Sequence, residues 1–181
     1  MEGSDEDEPA GASSQSDQHM TTTSRHHFGN ARDSGDAFSI TIIESMKEDY
    51  GLFVWPCSVV LAEYVWQQRS RFLGASVVEL GAGTSLPGLV AAKLGSDVTL
   101  TDNAVRLEVL DNMRRVCDLN ELKCEVLGLT WGMWDAAVFN LKPKIILGAD
   151  VLYDTNGRIC CTCLFLSINK IRYNVHTCSG G

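Results

Sequence analysis

Several positions along this chain carry groups suited to holding a small polar ligand: Glu79, the glycine pair Gly81 and Gly83, Asp102, Trp131, and Asp150 with Tyr153. Residues 77–88 read VVELGAGTSLPG, an apolar run that breaks into two glycines before Pro87 opens a run of helical character. Strand, tight turn and helix in that order build a nucleotide-binding loop, where glycine lets the backbone approach a ligand closely and adopt φ values closed to other residues. The spacing excludes two common ligands. A dinucleotide loop needs a third glycine three residues after Gly83, where Leu86 stands, and a triphosphate loop needs a Lys-Ser or Lys-Thr pair, which does not follow. Asp102 lies about twenty residues beyond the glycines, the distance at which a carboxylate reaches a ribose diol. It is also placed to cap the helix that follows. Trp131 offers a ring to cover an adenine, and Asp150 and Tyr153 close the series. The set describes a nucleoside with no pyrophosphate. Glu79 stands where a dinucleotide site has an apolar residue, and a carboxylate there suits a ligand bearing an amino group and a positive centre. S-adenosylmethionine has both, and its sulfonium is tolerated among carboxylates and aromatic faces.

Such groups act together only if parallel strands bring their carboxyl ends to one crevice. The chain has the required alternation. Strand 77–80 leads to helix 87–94, stopped by Gly95; strand 98–101 leads to helix 104–119; strand 124–127 is followed by a loop with Trp131 and Trp134; strand 145–147 ends in GADVLYD. This predicts a parallel sheet built by right-handed crossovers. Upstream, Phe38, Ile40 and Ile42 alternate as a short strand beside the domain. Trp55 and Pro56 start a helix, since proline favours the first helical position, and Val59, Val60, Val65 and Trp66 are expected to form its apolar stripe. Trp66, Trp134 and Met113 read as packing residues.

The length, 181 residues, fits one domain, and 45% hydrophobic content is ordinary for a globular chain. Residues 1–36 carry eight acids against Arg25 and Arg32, so most of the formal net charge of −8 lies there. That stretch has almost no large apolar side chains and is expected to be a disordered acidic tail. Its acids argue against a transit peptide, and no apolar run is long enough for a signal peptide or membrane span, which points to the cytosol or nucleus. The seven cysteines read as reduced, small hydrophobes. Cys160, Cys163, His176 and Cys178 lack the usual zinc spacing, so no metal is expected.

With these motifs in order, the sequence resembles the seven-strand S-adenosylmethionine-dependent methyltransferases. Within them it resembles the protein-lysine methyltransferase family, through Gly51-x-x-x-Trp55-Pro56, ELGAGTSLPG, the acid in TLTDN, the tryptophan in LTWG and Asp150-x-x-Tyr153. The resemblance covers residues 38–154. It implies a Rossmann-like α/β fold, the cofactor S-adenosylmethionine, and a protein substrate of histone or chaperone type, with no nucleic acid or membrane partner. It further implies that Trp55 packs against the cofactor, that Gly81, Ala82 and Gly83 cradle its methionine part, that Ala149 lines the floor below the methyl group, and that Asp150 and Tyr153 face the acceptor. The family sheet has order 3-2-1-4-5-7-6, and the expected domain, 37–154, ends after the fourth strand, leaving 155–181 as a divergent tail. On that reading the sheet is truncated after its fourth strand, whose IIL run becomes an open edge, with residues 163–168 as a makeshift cover. Two functions follow as expectations: an active protein methyltransferase, or a shortened, inactive form acting by binding alone.

Overall fold

A computed structural model describes residues 21–29, 37–45, 52–133, 136, 140–151 and 175–178. The parallel sheet contains β3 (Ser76–Glu79), β4 (Asp97–Asp102), β5 (Glu125–Gly128), β6 (Ile145–Ala149) and β7 (Val175–Cys178) in the order β5-β4-β3-β6-β7. Its central strands are buried on both faces, so they read as unbroken apolar runs: Val77, Val78, Val98, Leu100, Ile146 and Leu147 are all buried. Chain order runs outward from β3 in one direction through β4 and β5, and in the other through β6. The switch point, where a doubly wound sheet opens a crevice, therefore lies between the carboxyl ends of β3 and β6.

Helix α3 (Leu86–Lys93) covers the sheet next to the glycine loop and is buried along almost its whole length. Gly95, at φ +89°, takes the left-handed conformation that ends it. Helix α1 (Pro56–Gln67) packs on α3, and α2 (Arg69–Phe72) follows it. Proline stands at the first position of α1, as expected, but the stripe differs: Cys57, Ser58, Leu61, Ala62, Val65 and Trp66 are buried, whereas Val59 and Val60 are exposed. The pairs 57/58, 61/62 and 65/66 recur every four residues, so they share one face, and 59 and 60 lie about half a turn away. Helix α4 (Leu107–Leu119) starts three residues later than the pattern suggested, with Arg106 at its N-cap position.

Two corrections concern the ends of the chain. Within the stretch expected to be disordered, β1 (Thr21–Phe28) pairs antiparallel with β2 (Phe38–Ser45). The β1 strand needs little apolar content because the hairpin is seated mainly through β2. Ile40 and Ile42 are fully buried, and Phe38 packs edge-on against Trp66 at 5.3 Å. Polar bonds to α4 fix it as well: Asn120 Oδ1 accepts from Thr41 N at 2.8 Å, and its Nδ2 donates to Thr41 O at 2.7 Å, while Asn112 Nδ2 donates to Ile43 O at 3.0 Å. The second correction is that the sheet does not stop at β6. β7 pairs with it in parallel, Ile146 opposite Val175 through Ala149 opposite Cys178. An unpaired edge presents a row of free N–H and C=O groups that another segment of chain can satisfy. The proposed cover at 163–168 lies outside the described residues, as do Tyr153 and Trp134. Among the described residues no helix is long and apolar enough to cross a membrane.

Candidate functional site

At the switch point a cleft of about 410 Å³ opens, within the range of small-molecule sites. Its walls come from five places in the chain. Gly81, Ala82, Gly83 and Thr84 follow β3; Asp102 ends β4 and Asn103 follows it; Leu129, Thr130 and Trp131 follow β5; Ala149 ends β6, and Asp150 and Val151 follow it; Phe53 and Trp55 precede α1, and Ser58 lies in its first turn. The structure thus brings together Trp55, Gly81, Ala82, Gly83, Asp102, Trp131, Ala149 and Asp150, while Tyr153 lies outside the described residues.

The loop is pinned to β4. Ala82 N donates to Thr101 O at 2.9 Å, Thr101 Oγ1 donates to Glu79 O at 2.8 Å, and Gly83 N donates to Asp102 Oδ2 at 2.9 Å. Gly81 and Gly83 sit at φ +58° and +51°. Gly81 has a second reason to be glycine: a Cβ there would come within 3.1 Å of Val151 Cγ1 and 3.3 Å of Trp131 Cζ2, so the indole rests directly on the loop.

Asp102 does not cap α4, which begins five residues later. Its Oδ2 serves the glycine loop and its Oδ1 accepts from Asn103 N at 2.8 Å. Burial raises the Asp102 carboxyl above its ordinary range, against the opposing pull of the Gly83 and Asn103 N–H groups and the Arg106 charge. A carboxylate has about four lone-pair positions, so two bonds leave room for a diol. Asp150 has φ +55°, unusual for a residue with a side chain.

Glu79 is the site residue the structure places elsewhere. Its side chain does not line the cleft; it is 1% exposed, and Oε2 accepts from Gly88 N at 2.8 Å in the first turn of α3. Strand alternation turns it to the face that α3 covers, and the missing side chain of Gly88 makes the approach possible, since a Cβ there would collide with Glu79 Oε2 and Leu100 Cδ2. Burial is the main cause that pushes its carboxyl up to about 8, with the Gly88 N–H opposing and Asp102 adding to the rise. It therefore braces the loop from beneath.

The cleft also uses residues the sequence reading missed. Asn103, Thr130 and Val151 each stand next to a residue it found, and Asn103 Oδ1 accepts from both Val105 N and Thr130 Oγ1 at 3.2 Å. Their signal was position at a strand end. Phe53 and Ser58 carry no such signal, because only the packing of α1 brings them to the crevice.

A parallel sheet with its crevice at this switch point, a left-handed glycine loop tied to an acid on the next strand, and a tryptophan on the loop define a Rossmann-like fold. The same fold is found in the T. thermophilus 16S rRNA N2 G1207 methyltransferase, solved with AdoMet and guanosine, at a TM-score of 0.53 and 19% identity over 71% of this chain and 32% of that one. The profile of the family described as "Lysine methyltransferase" matches residues 34–174, and the chain belongs to that family. Histone-arginine methyltransferase METTL23 of Xenopus laevis is 46% identical over 117 residues, 64% of this chain and 50% of the relative. Protein N-lysine methyltransferase METTL21A of Mus musculus is 39% identical over 132 residues, 66% of this chain and 61% of the relative. The chain spans about half the length of the METTL23 relatives it matches.

Proposed function

We propose that the chain binds S-adenosylmethionine in the β3/β6 crevice and serves transfer of its methyl group to a lysine or arginine nitrogen of a protein. The observation that carries this reading is the Gly83 N–H to Asp102 bond, which joins the glycine loop and the acid into one wall of the cleft that also holds Trp131 and Asp150. The donor set fits the cofactor: a carboxylate with free lone pairs for ribose hydroxyls, an indole for adenine, and bare backbone at Gly81, Ala82 and Gly83 for the methionine part. Trp55 closes the side towards α1, and Ala149 leaves a small-residue floor. When bound, the cofactor supplies an electrophilic methyl group on a sulfonium. The chain's own task is then to align the acceptor and exclude water.

The acceptor nitrogen must be free of its proton. A lysine amine has an ordinary pKa of about 10.4, so a site that accepts it favours the neutral form by burial and offers a carboxylate to hold the proton. Asp150, on the cleft wall at the end of β6, is that carboxylate, with Tyr153 three residues on in the sequence. A guanidinium resists deprotonation more strongly and requires closer carboxylate contact. The name of METTL23 favours arginine and that of METTL21A lysine.

Calorimetry with S-adenosylhomocysteine and with nicotinamide dinucleotides tests cofactor choice, and transfer of labelled methyl groups into histone and chaperone fractions tests the reaction. Tighter binding of the nicotinamide cofactor would refute the reading. Mass spectrometry of labelled peptides identifies the acceptor as lysine or arginine.

A further inference from the structure

The row of side chains that the β1–β2 hairpin turns towards the domain reads Ile40, Ile42, Glu44 on alternate positions of β2. The two isoleucines are fully buried. A carboxylate in the third place, at a half-buried position, breaks the apolar pattern. Among the described residues it lies near His26 and accepts a bond from the backbone of the cleft wall: Val54 N donates to Glu44 Oε2 at 3.0 Å. Val54 lies between Phe53 and Trp55, which line the cleft and pack edge to face at 5.7 Å and 85°. Both rings are substantially exposed, Phe53 at 50% and Trp55 at 36%. The other end of the link is firm, because Asn112 and Asn120 tie the neighbouring backbone of Thr41 and Ile43 to α4.

We infer that Glu44 is a positioning residue of the cofactor cleft: its carboxylate, held by the hairpin, fixes Val54 and so sets the Phe53–Trp55 aromatic pair against the bound ligand. The inference rests on the reading of the cleft as the cofactor site. It gives the N-terminal hairpin a role in the site without a hairpin residue among the lining. A bond to a charged acceptor at a partly exposed position has an effect of about tenfold or more in an equilibrium.

The test uses the whole chain as Glu44→Ala and Glu44→Gln, each alone and with Trp55→Ala. Hydrogen exchange of the Val54 amide should accelerate about tenfold in Glu44→Ala and stay within about threefold of wild type in Glu44→Gln, whose side-chain carbonyl can still accept. Affinity for S-adenosylhomocysteine should fall about five- to tenfold in Glu44→Ala, recover in Glu44→Gln, and show no further loss when Glu44→Ala is added to Trp55→Ala, since coupled residues are not additive. Unchanged Val54 exchange in Glu44→Ala would overturn the anchor. An equal loss of affinity with and without the Trp55 ring would overturn its action through the aromatic pair. If wild-type protein does not bind S-adenosylhomocysteine, the cleft reading and the ligand-positioning role fall together, while Val54 exchange still decides whether the anchor exists.

Discussion

Replacing Glu79 by glutamine should change how the stability of the protein depends on pH. The carboxyl is buried against α3 and raised from 4.5 to about 8, chiefly by loss of hydration. In the unfolded chain it titrates near its ordinary value, so between about pH 4.5 and 8 the folded state holds a proton that the unfolded state has released. Stability from this group is therefore fully present below about pH 4.5 and is lost as pH rises through the folded value of about 8. At about 1.4 kcal/mol per pH unit the loss is on the order of 5 kcal/mol. That is comparable with the whole stability of a small domain, about 5–15 kcal/mol. Glutamine mimics the protonated form: its carbonyl can accept from Gly88 N, and its other arm carries a donor. Urea unfolding of the ligand-free protein at intervals from pH 5 to pH 8.5 should show wild type losing stability relative to Glu79→Gln as pH rises, with the variant more stable by a few kcal/mol at the alkaline end. The Asp102 carboxyl is raised in the same direction and is present in both proteins; its coupling to Glu79 adds to the difference with the same sign. Parallel stability curves across the range would mean that Glu79 ionises normally in the folded protein, and the reasoning from its burial would be refuted.

Asp102→Ala should weaken binding of S-adenosylhomocysteine by about 1.5–3 kcal/mol, the scale for bonds to a charged group, as read by calorimetry. It should also lower the melting temperature, because Gly83 N loses its acceptor; unchanged affinity would remove the acid from the ribose site. Gly81→Ala should destabilise by about 2–3 kcal/mol, combining left-handed backbone strain with overpacking against Val151 and Trp131, and tryptophan fluorescence should report a displaced indole. An unchanged emission spectrum would show that the ring does not rest on the loop. Ser85 has φ +66° and a buried hydroxyl without a hydrogen-bond partner. Ser85→Gly should accordingly stabilise by about 1 kcal/mol after the entropic cost of glycine, raising the melting temperature by about 2–4 °C; a fall would mean that the hydroxyl contributes a bond.

Much of the site was legible before any fold was known. The break from an apolar run into Gly81 and Gly83, the acid at the end of the following strand, and Trp131 and Asp150 after later strands are local signals, each at the end of a recognisable element. A parallel sheet converts strand ends into neighbours, so finding the ends came close to finding the cleft. The β-α alternation from residue 77 to 149 was equally local, because apolar strand runs and Pro or Gly punctuation depend on nearby residues alone.

The misses share one cause. Whether Glu79 points at a ligand or at a helix depends on which sheet face α3 covers, and the approach to Gly88 exists only after that packing. Thr21–Phe28 has the composition of a solvated tail and becomes a strand because β2, seated on α4 by Asn112 and Asn120, offers it an edge. Val175–Cys178 is too short to announce itself and pairs because β6 has a free side. The stripe of α1 was misassigned because valines stand on both faces of that helix, and the contact with α3 selects one. The sequence by itself determined the elements and the chemistry carried at their ends, because those depend on residues a few places apart. Tertiary structure decided edge pairing, side-chain direction and the seating of Phe53 and Trp55, because each of these is a property of a surface that does not exist until distant segments have met.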